Sequence, residues 1–221
     1  MIKRKKMKKT LIFGAGGGSQ EILRVIIEDI NKLHSTWEVL GYIDPDKSLK
    51  GKVIAGYKVL GARYKGDPSG IYGTCGLIDN STRSKIIEEE IKKAGFQPAS
   101  LVHPSVICSS DFKHGEGLVM FPSVRISYNV EIGNGVIVNY NSCLGHDLRI
   151  GDNSFIGPSV TITGGNYIGS NCTIGAGSVF LPGRKVDNNA VVGAGTIVLT
   201  NVEMDTMVMD MPRKIERSKS N

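Results

Sequence analysis

The chain has 221 residues, 40% hydrophobic but only 6% aromatic, with 28 glycines and a formal net charge of +6. That length allows one large domain or two small ones, and no apolar run approaches the ~20 residues needed to cross a bilayer. No signal-peptide core follows the basic start, and the four cysteines (Cys75, Cys108, Cys143, Cys172) lie far apart with no CxxC, so neither a zinc knuckle nor a disulfide framework is expected and a cytoplasmic location is the plain reading.

The excess charge is local. Lys3, Arg4, Lys5, Lys6, Lys8 and Lys9 precede the first strand, and the remainder of the chain is balanced. Residues 1–9 therefore read as a solvated basic leader, with no nucleic-acid or membrane partner implied. Thr10–Phe13 is an apolar strand running into Gly14-Ala15-Gly16-Gly17-Gly18-Ser19. Helical periodicity follows over Gln20–Leu33 through Ile22, Val25, Ile26 and Ile30, with Ser19 in place to cap it. Strand, glycine turn and helix is the geometry that brings backbone N–H groups up to a phosphate. Trp37–Ile43, Tyr57–Leu60 and Tyr72–Ile78 read as further strands. Ser81 then caps a second helix that runs to Ala94 and closes at Gly95. With Ala99–Val102 as a last strand, residues 10–102 form a small, Rossmann-like open α/β domain.

A glycine turn alone fits NAD(P), a nucleotide or nucleotide-sugar, or nothing more than a tight turn. Against NAD(P), Ser19 stands where the third fingerprint glycine belongs. Asp44 also lies some thirty residues beyond Gly14, where about twenty is usual for a ribose contact. A nucleotide or nucleotide-sugar is the better expectation.

From residue 103 the pattern changes. His103–Asp111 joins the two parts, and Asp111–Gly117 reads as an irregular first coil. Stepping by six from Met120 meets Ile126, Ile132, Val138, Leu144, Ile150, Ile156, Ile162, Ile168, Ile174, Phe180, Val186, Val192 and Val198, every one apolar. At 40% hydrophobic content, chance gives such a run roughly once in several hundred thousand registers, so the repeat is real. A second period of eighteen lies on top, in Ile132-Gly133-Asn134, Ile150-Gly151-Asp152, Ile168-Gly169-Ser170 and Val186-Asp187-Asn188. Three strand-and-turn hexads thus close one triangular coil, and coils stack as parallel strands about 4.8 Å apart. Residues 103–203 form this all-β solenoid, and 204–221 a charged tail.

Of four histidines (His34, His103, His114, His146), only His146 lies within the regular repeat. Asp147 follows it and can orient the ring. One coil later stands Gly164, which leaves space and exposes its N–H. An imidazole, which titrates near neutrality, beside a free backbone donor is what acyl transfer to an amine or hydroxyl needs. Cys143 precedes the inward-pointing Leu144 and is a poor nucleophile candidate. A solenoid carbonic anhydrase would need three histidines on one zinc, so no metal is expected. A non-catalytic module that merely displays the N-terminal domains is the remaining alternative.

Taken together, the glycine turn, Gly41-Tyr42-Ile43-Asp44, His103-Pro104, Gly145-His146-Asp147 and Met211-Pro212-Arg213-Lys214 resemble the hexapeptide-repeat sugar acetyltransferases of the sialic-acid O-acetyltransferase and bacillosamine-pathway N-acetyltransferase type. The likeness covers about residues 10–214. It implies a left-handed parallel β-helix, a homotrimer with active sites between neighbouring helices, and acetyl transfer from acetyl-CoA to a nucleotide-linked amino sugar, with a hydroxyl acceptor as the alternative. By resemblance His146 is the general base with Asp147 beside it, and the Gly164 N–H meets the thioester carbonyl. Gly16, Gly17, Gly18, Asp44 and Asp46 match the nucleotide-sugar contacts, and Ala176 and Ala194 lie along the pantetheine path. The chain departs from the family where Gly18 and Phe155 replace frequent histidines, and in its terminal Met-Pro-Arg-Lys.

Overall fold

The computed structural model describes residues 7–34 and 36–210. The leader residues Lys3–Lys6 and the terminal Met-Pro-Arg-Lys lie outside them. An α/β unit is followed by a parallel β-helix, as the two periodicities require.

In the α/β unit, β1 (Lys8–Phe13), β2 (Trp37–Ile43), β3 (Val53–Ile54), β4 (Tyr57–Gly61), β5 (Ile71–Cys75) and β6 (Gln97–Pro98) form one sheet in the order β3-β4-β2-β1-β5-β6. All neighbours are parallel except the β3–β4 hairpin. The central strand β1 is flanked by β2 and β5, so its C-terminal end, the glycine turn, opens where the strand order reverses. That is the usual ligand crevice of such sheets. Lys8 and Lys9 belong to β1, not to a leader. The Lys8 ammonium lies 5.4 Å from the Trp37 ring centre and 5.1 Å from that of Tyr72, a cation–π arrangement that extends the strand.

Helix α1 (residues 17–34) includes a π-helical stretch at Ile22–Ile27. Ser19 does not cap it. Gly16 is the N-cap, and Ser19 is buried in the first turn, its hydroxyl donating to the Phe13 carbonyl at 3.3 Å. Helix α2 (residues 80–92) is capped by Asp79, not Ser81, because Asp79 Oδ1 accepts the Thr82 N–H at 2.8 Å. The chain leaves α2 at Gly95, whose φ of +92° is left-handed.

The β-helix begins earlier than the hexads show. β7 (Leu101–Val102) pairs with Val119–Met120 and is the first rung of the solenoid, not the last strand of the α/β sheet. Three faces result. The first has seven strands from Leu101–Val102 to Met207–Val208, the second six from Ile107–Cys108 to Ile197–Val198, and the third five from Lys113–His114 to Lys185–Val186. All fourteen residues of the six-step ladder lie in one buried core. A fully buried aliphatic side chain contributes about 1.5–3 kcal/mol, so no single coil is stable without its neighbours. Inward serines keep the ladder satisfied, with Ser142 Oγ donating to Gly157 O and Ser154 Oγ to Gly169 O, both at 2.8 Å. Near the end the repeat shortens. Met207 pairs with Val191 and Val202 bridges Val186, a spacing of sixteen, because the corner after Val198 is two residues short.

The α/β unit docks on the first face. Ile22, Leu23, Ile26 and Ile27 of α1 share a buried cluster with the outward-facing Leu101, Val119, Ile137 and Phe155. Phe155 is thus committed to the junction. His103 adds a polar clasp, its Nε2 3.1 Å from Asp29 Oδ2 and its Nδ1 2.7 Å from Ser105 Oγ. Arg83 fixes the other side. Fully buried, it spends all five N–H donors on neutral acceptors: Gly135 O, Leu77 O, Ile78 O, Asn153 O and Asn80 Oδ1. Desolvation pulls the guanidinium down to about 10, still charged at neutral pH.

Candidate functional site

The site residues read from the sequence fall into three places. His146, Asp147 and Gly164 share the corner between the second and third faces. Gly16, Gly17, Gly18, Asp44 and Asp46 gather at the C-terminal edge of the α/β sheet. Ala176 and Ala194 are exposed at the corner between the first and second faces.

At the first place, the turn after Cys143–Leu144 carries His146 outward, with half of its side chain exposed. Asp147 sits at a left-handed φ of +54°, its carboxylate lies at the edge of the ring, and His146 Nδ1 lies 2.8 Å from Asp147 Oδ2. An ionised carboxylate only accepts, so Nδ1 carries the proton and Nε2 is left with its lone pair outward. The His146 contact, then the Asn129 amide, holds the Asp147 carboxyl below the usual carboxylate range, so it stays ionised wherever the imidazole is neutral. Eighteen residues on, a Cβ on Gly164 would collide with Cε1 and Nε2 of His146; only glycine lets the ring lie over that turn. Asn166, buried, holds the turn by donating to Thr163 O at 2.8 Å and accepting the Arg184 N–H at 2.9 Å. Eighteen residues back, the Tyr128 ring stacks on His146, with centres 5.2 Å apart and planes 7° from parallel. Sequence reasoning missed Tyr128 and passed over Asn166. The eighteen-residue period was the signal that places Tyr128 beside His146, and Asn166 stands only two residues after Gly164.

At the second place, Asp44 is structural to the glycine turn. Its Oδ2 accepts the Ala15 N–H at 2.8 Å and its Oδ1 the Asp46 N–H at 2.9 Å. Asp46 in turn accepts the Ser48 N–H at 2.8 Å, and the contacts with Ser48 hold its carboxyl low. Gly16 and Gly17 are exposed, with open space where a side chain would be. Gly18 differs, because a Cβ there would run into the Gly76 carbonyl oxygen. Backbone packing between the β1–α1 and β5–α2 turns therefore explains that glycine. The loop after β5 is anchored from behind by Arg83, through Leu77 O and Ile78 O.

At the third place, Gly175 lets its turn pack directly on Ala194, since a Cβ there would strike the Ala194 N–H. One strand of the second face separates this corner from the corner of His146 (Val179–Phe180 in the coil of Ala176), a width of roughly 15 Å at about 3.3 Å per residue. A single chain does not bring the two alanines to the imidazole. Between those corners the second face exposes Val179, Leu181, Ile197 and Leu199, 36% to 59% accessible.

The repeats have known counterparts. The bacterial transferase hexapeptide family, in six repeats, matches residues 122–164 and 167–200. Those two stretches of the solenoid are similar to hexapeptide-transferase repeats. Among curated proteins, a GDP-perosamine N-acetyltransferase of Escherichia coli is 28% identical over 124 residues. The match takes in 55% of each chain, so this chain spans about half the length of that relative. Among solved structures, the acetyltransferase domain of PglB from Neisseria gonorrhoeae has a TM-score of 0.82 at 23% identity, covering 94% of this chain and 98% of that one. PerB from Caulobacter crescentus, in complex with CoA and GDP-perosamine, gives 0.80 at 26%, covering 95% and 97%. The α/β unit and the hexapeptide solenoid are thus one recurrent architecture. Among the described residues no three His, Cys, Asp or Glu side chains converge as a metal site, and no helix is long and apolar enough to cross a membrane.

Proposed function

We propose that the chain is an acetyltransferase that moves the acetyl group of acetyl-CoA to the amine of a nucleotide-linked amino sugar. The observation that carries this reading is the His146 ring, pinned at Nδ1 by Asp147 with Nε2 free beside the Gly164 turn. Likeness to PerB, crystallised with CoA and GDP-perosamine, supports the substrate class.

In the reaction, Nε2 takes a proton from the sugar amine as its nitrogen attacks the thioester carbonyl. Asp147 stabilises the imidazolium that forms, which lowers the barrier without itself taking the proton. The Gly164 N–H, which makes no hydrogen bond among the described residues, faces the developing oxyanion; one such donor is worth about 10²–10³ in kcat. As the tetrahedral intermediate collapses, the imidazolium returns its proton to the departing CoA sulfur, so no acyl-enzyme forms. Gly16 and Gly17 leave room for the nucleotide to approach the N-terminal end of α1, where unpaired N–H groups favour its phosphates.

The assembly we infer is a homotrimer joined along the second face. It would cover Val179, Leu181, Ile197 and Leu199 and bring the Ala176–Ala194 corner of one copy to the His146 corner of the next, where a pantetheine arm could pass. His146→Ala tests the chemistry: CoA release with a nucleotide-linked amino sugar should fall at least a hundredfold with the fold retained, and unchanged release would leave only a binding module. Leu199→Asp tests the assembly, because sedimentation should shift from trimer to monomer and turnover should go with it.

A further inference from the structure

We propose that Tyr128 and Asn129 are positioning residues for His146, a role that rests on the reading of His146 as the base. The dipeptide Tyr128-Asn129 lies one coil beneath His146-Asp147 and supports it residue for residue. Tyr128 stacks on the imidazole, 5.2 Å between centres and 7° from parallel, and the Asn129 side-chain amide donates to Asp147 Oδ1. The backbone locks the same pairing, since the Asp147 N–H donates to Tyr128 O at 3.2 Å. Asn129 is itself held, its carbonyl accepting from Arg149 Nη1 at 2.9 Å, and Arg149 Nε pairs with Glu131 at 3.2 Å.

Asn129 also serves the fold, at a left-handed φ of +54°, but the fold does not need an aromatic ring at Tyr128. Tyr128 is exposed, and its hydroxyl makes no hydrogen bond among the described residues. A tyrosine or phenylalanine ring there does one thing a small residue cannot: it fills the lower face of an imidazole whose upper face meets the Gly164 backbone. With Asp147 fixing Nδ1, the ring is left a single plane and a single direction for Nε2. A half-exposed histidine without that support would sample several rotamers at little cost. Acyl transfer depends on near-attack geometry to within a fraction of an ångström, and a misplacement of about 1 Å can cost about 10²-fold.

The test uses the full-length protein with Tyr128→Ala, Tyr128→Phe and Asn129→Gly, glycine being chosen because Asn129 has a φ of +54°. Tyr128→Ala should lower kcat about a hundredfold while KM for either substrate stays within about twofold. Tyr128→Phe, which keeps the ring, should restore kcat to within about threefold of the parent. Asn129→Gly should lower kcat about tenfold. An Ala variant that keeps its kcat, or a Phe variant that falls as far as Ala, overturns the proposal. Nitrogen-15 NMR of the histidine ring gives a readout independent of turnover. The parent should show a single Nδ1–H tautomer for His146, and both Tyr128→Ala and Asn129→Gly should mix it. Unmixed spectra in the variants would defeat the positioning role even if His146 proved not to be the base, whereas an active His146→Ala with mixed spectra would defeat only the catalytic reading.

Discussion

Arg83 Nη2 donates to Asn80 Oδ1 at 2.8 Å, and the Asn80 amide donates to the carbonyls of Asn171 and Cys172 at 2.8 and 3.0 Å. One turn of helix α2 therefore ties the loop after β5 to three successive coils of the solenoid, at Gly135, Asn153 and Asn171. Replacing Arg83 with lysine keeps the charge but offers three donors to five acceptors. Each buried acceptor left unpaired costs about 1–3 kcal/mol, so urea unfolding of Arg83→Lys should show a midpoint well below the parent's. Asn80→Ala, which cuts the link but leaves Arg83 four partners, should fall between the two. An Arg83→Lys protein as stable as the parent would contradict the saturated-arginine account.

Gly164→Ala tests the crowding over the imidazole. The new methyl must push His146 aside, because the overlap is with three atoms of the ring. Turnover should drop about a hundredfold, with circular dichroism and melting temperature close to the parent's because the turn is at the surface. The Cε1–H resonance of His146 should move in a proton–carbon spectrum.

The two kinds of glycine in the β1–α1 turn should separate cleanly. Gly18→Ala meets the Gly76 backbone, which cannot yield like a side-chain tip, so thermal unfolding should shift down by several degrees. Gly16→Ala enters open space at an ordinary φ of −74°. It should melt like the parent yet weaken nucleotide-sugar binding in calorimetry, because on the proposed reading the methyl stands in the ligand's approach.

Acid should loosen the molecule at a definable pH. Asp29, Asp79, Asp111 and Asp147 are all held below the usual carboxylate value, by Lys32 for Asp29, Thr82 for Asp79, Ser109 for Asp111 and His146 for Asp147. A carboxylate whose pKa is lower folded than unfolded stabilises the fold above its unfolded pKa, near 4, and loses that contribution as pH falls through the folded value. Melting temperature on the acid side should therefore be flat down to about pH 5 and fall steeply below about 4. Asp147→Asn should make that fall shallower.

The solenoid was legible because its core is periodic. One inward residue in six, repeated from Met120 to Val198, is a pattern that no other fold would impose. Its first rungs were hidden because Ile107–Cys108 and Lys113–His114 carry exposed residues, so periodic hydrophobicity does not mark them, although Leu101–Val102 pairs in register. The helix caps were misread for a local reason. Ser19 and Ser81 are good capping residues by type, yet Ser19 turned inward to Phe13, and Asp79 immediately precedes the true start of α2 while Ser81 lies inside it. His146 and Gly164 could be paired from their eighteen-residue spacing. Arg83 could not be singled out, because nothing in a sequence marks an arginine that will be buried among carbonyl groups.

Because rungs recur every eighteen residues and each raises the stack by one strand spacing, the height of His146 along the solenoid is quantised. A relative that gained one whole coil of eighteen residues ahead of His146 would keep every side chain on its face. Its His146 imidazole would move by about 4.8 Å. An insertion of a single residue would instead rotate the ladder out of register and break it. The proposed site can therefore be shifted along the solenoid only in fixed steps, like a ruler graduated in strands.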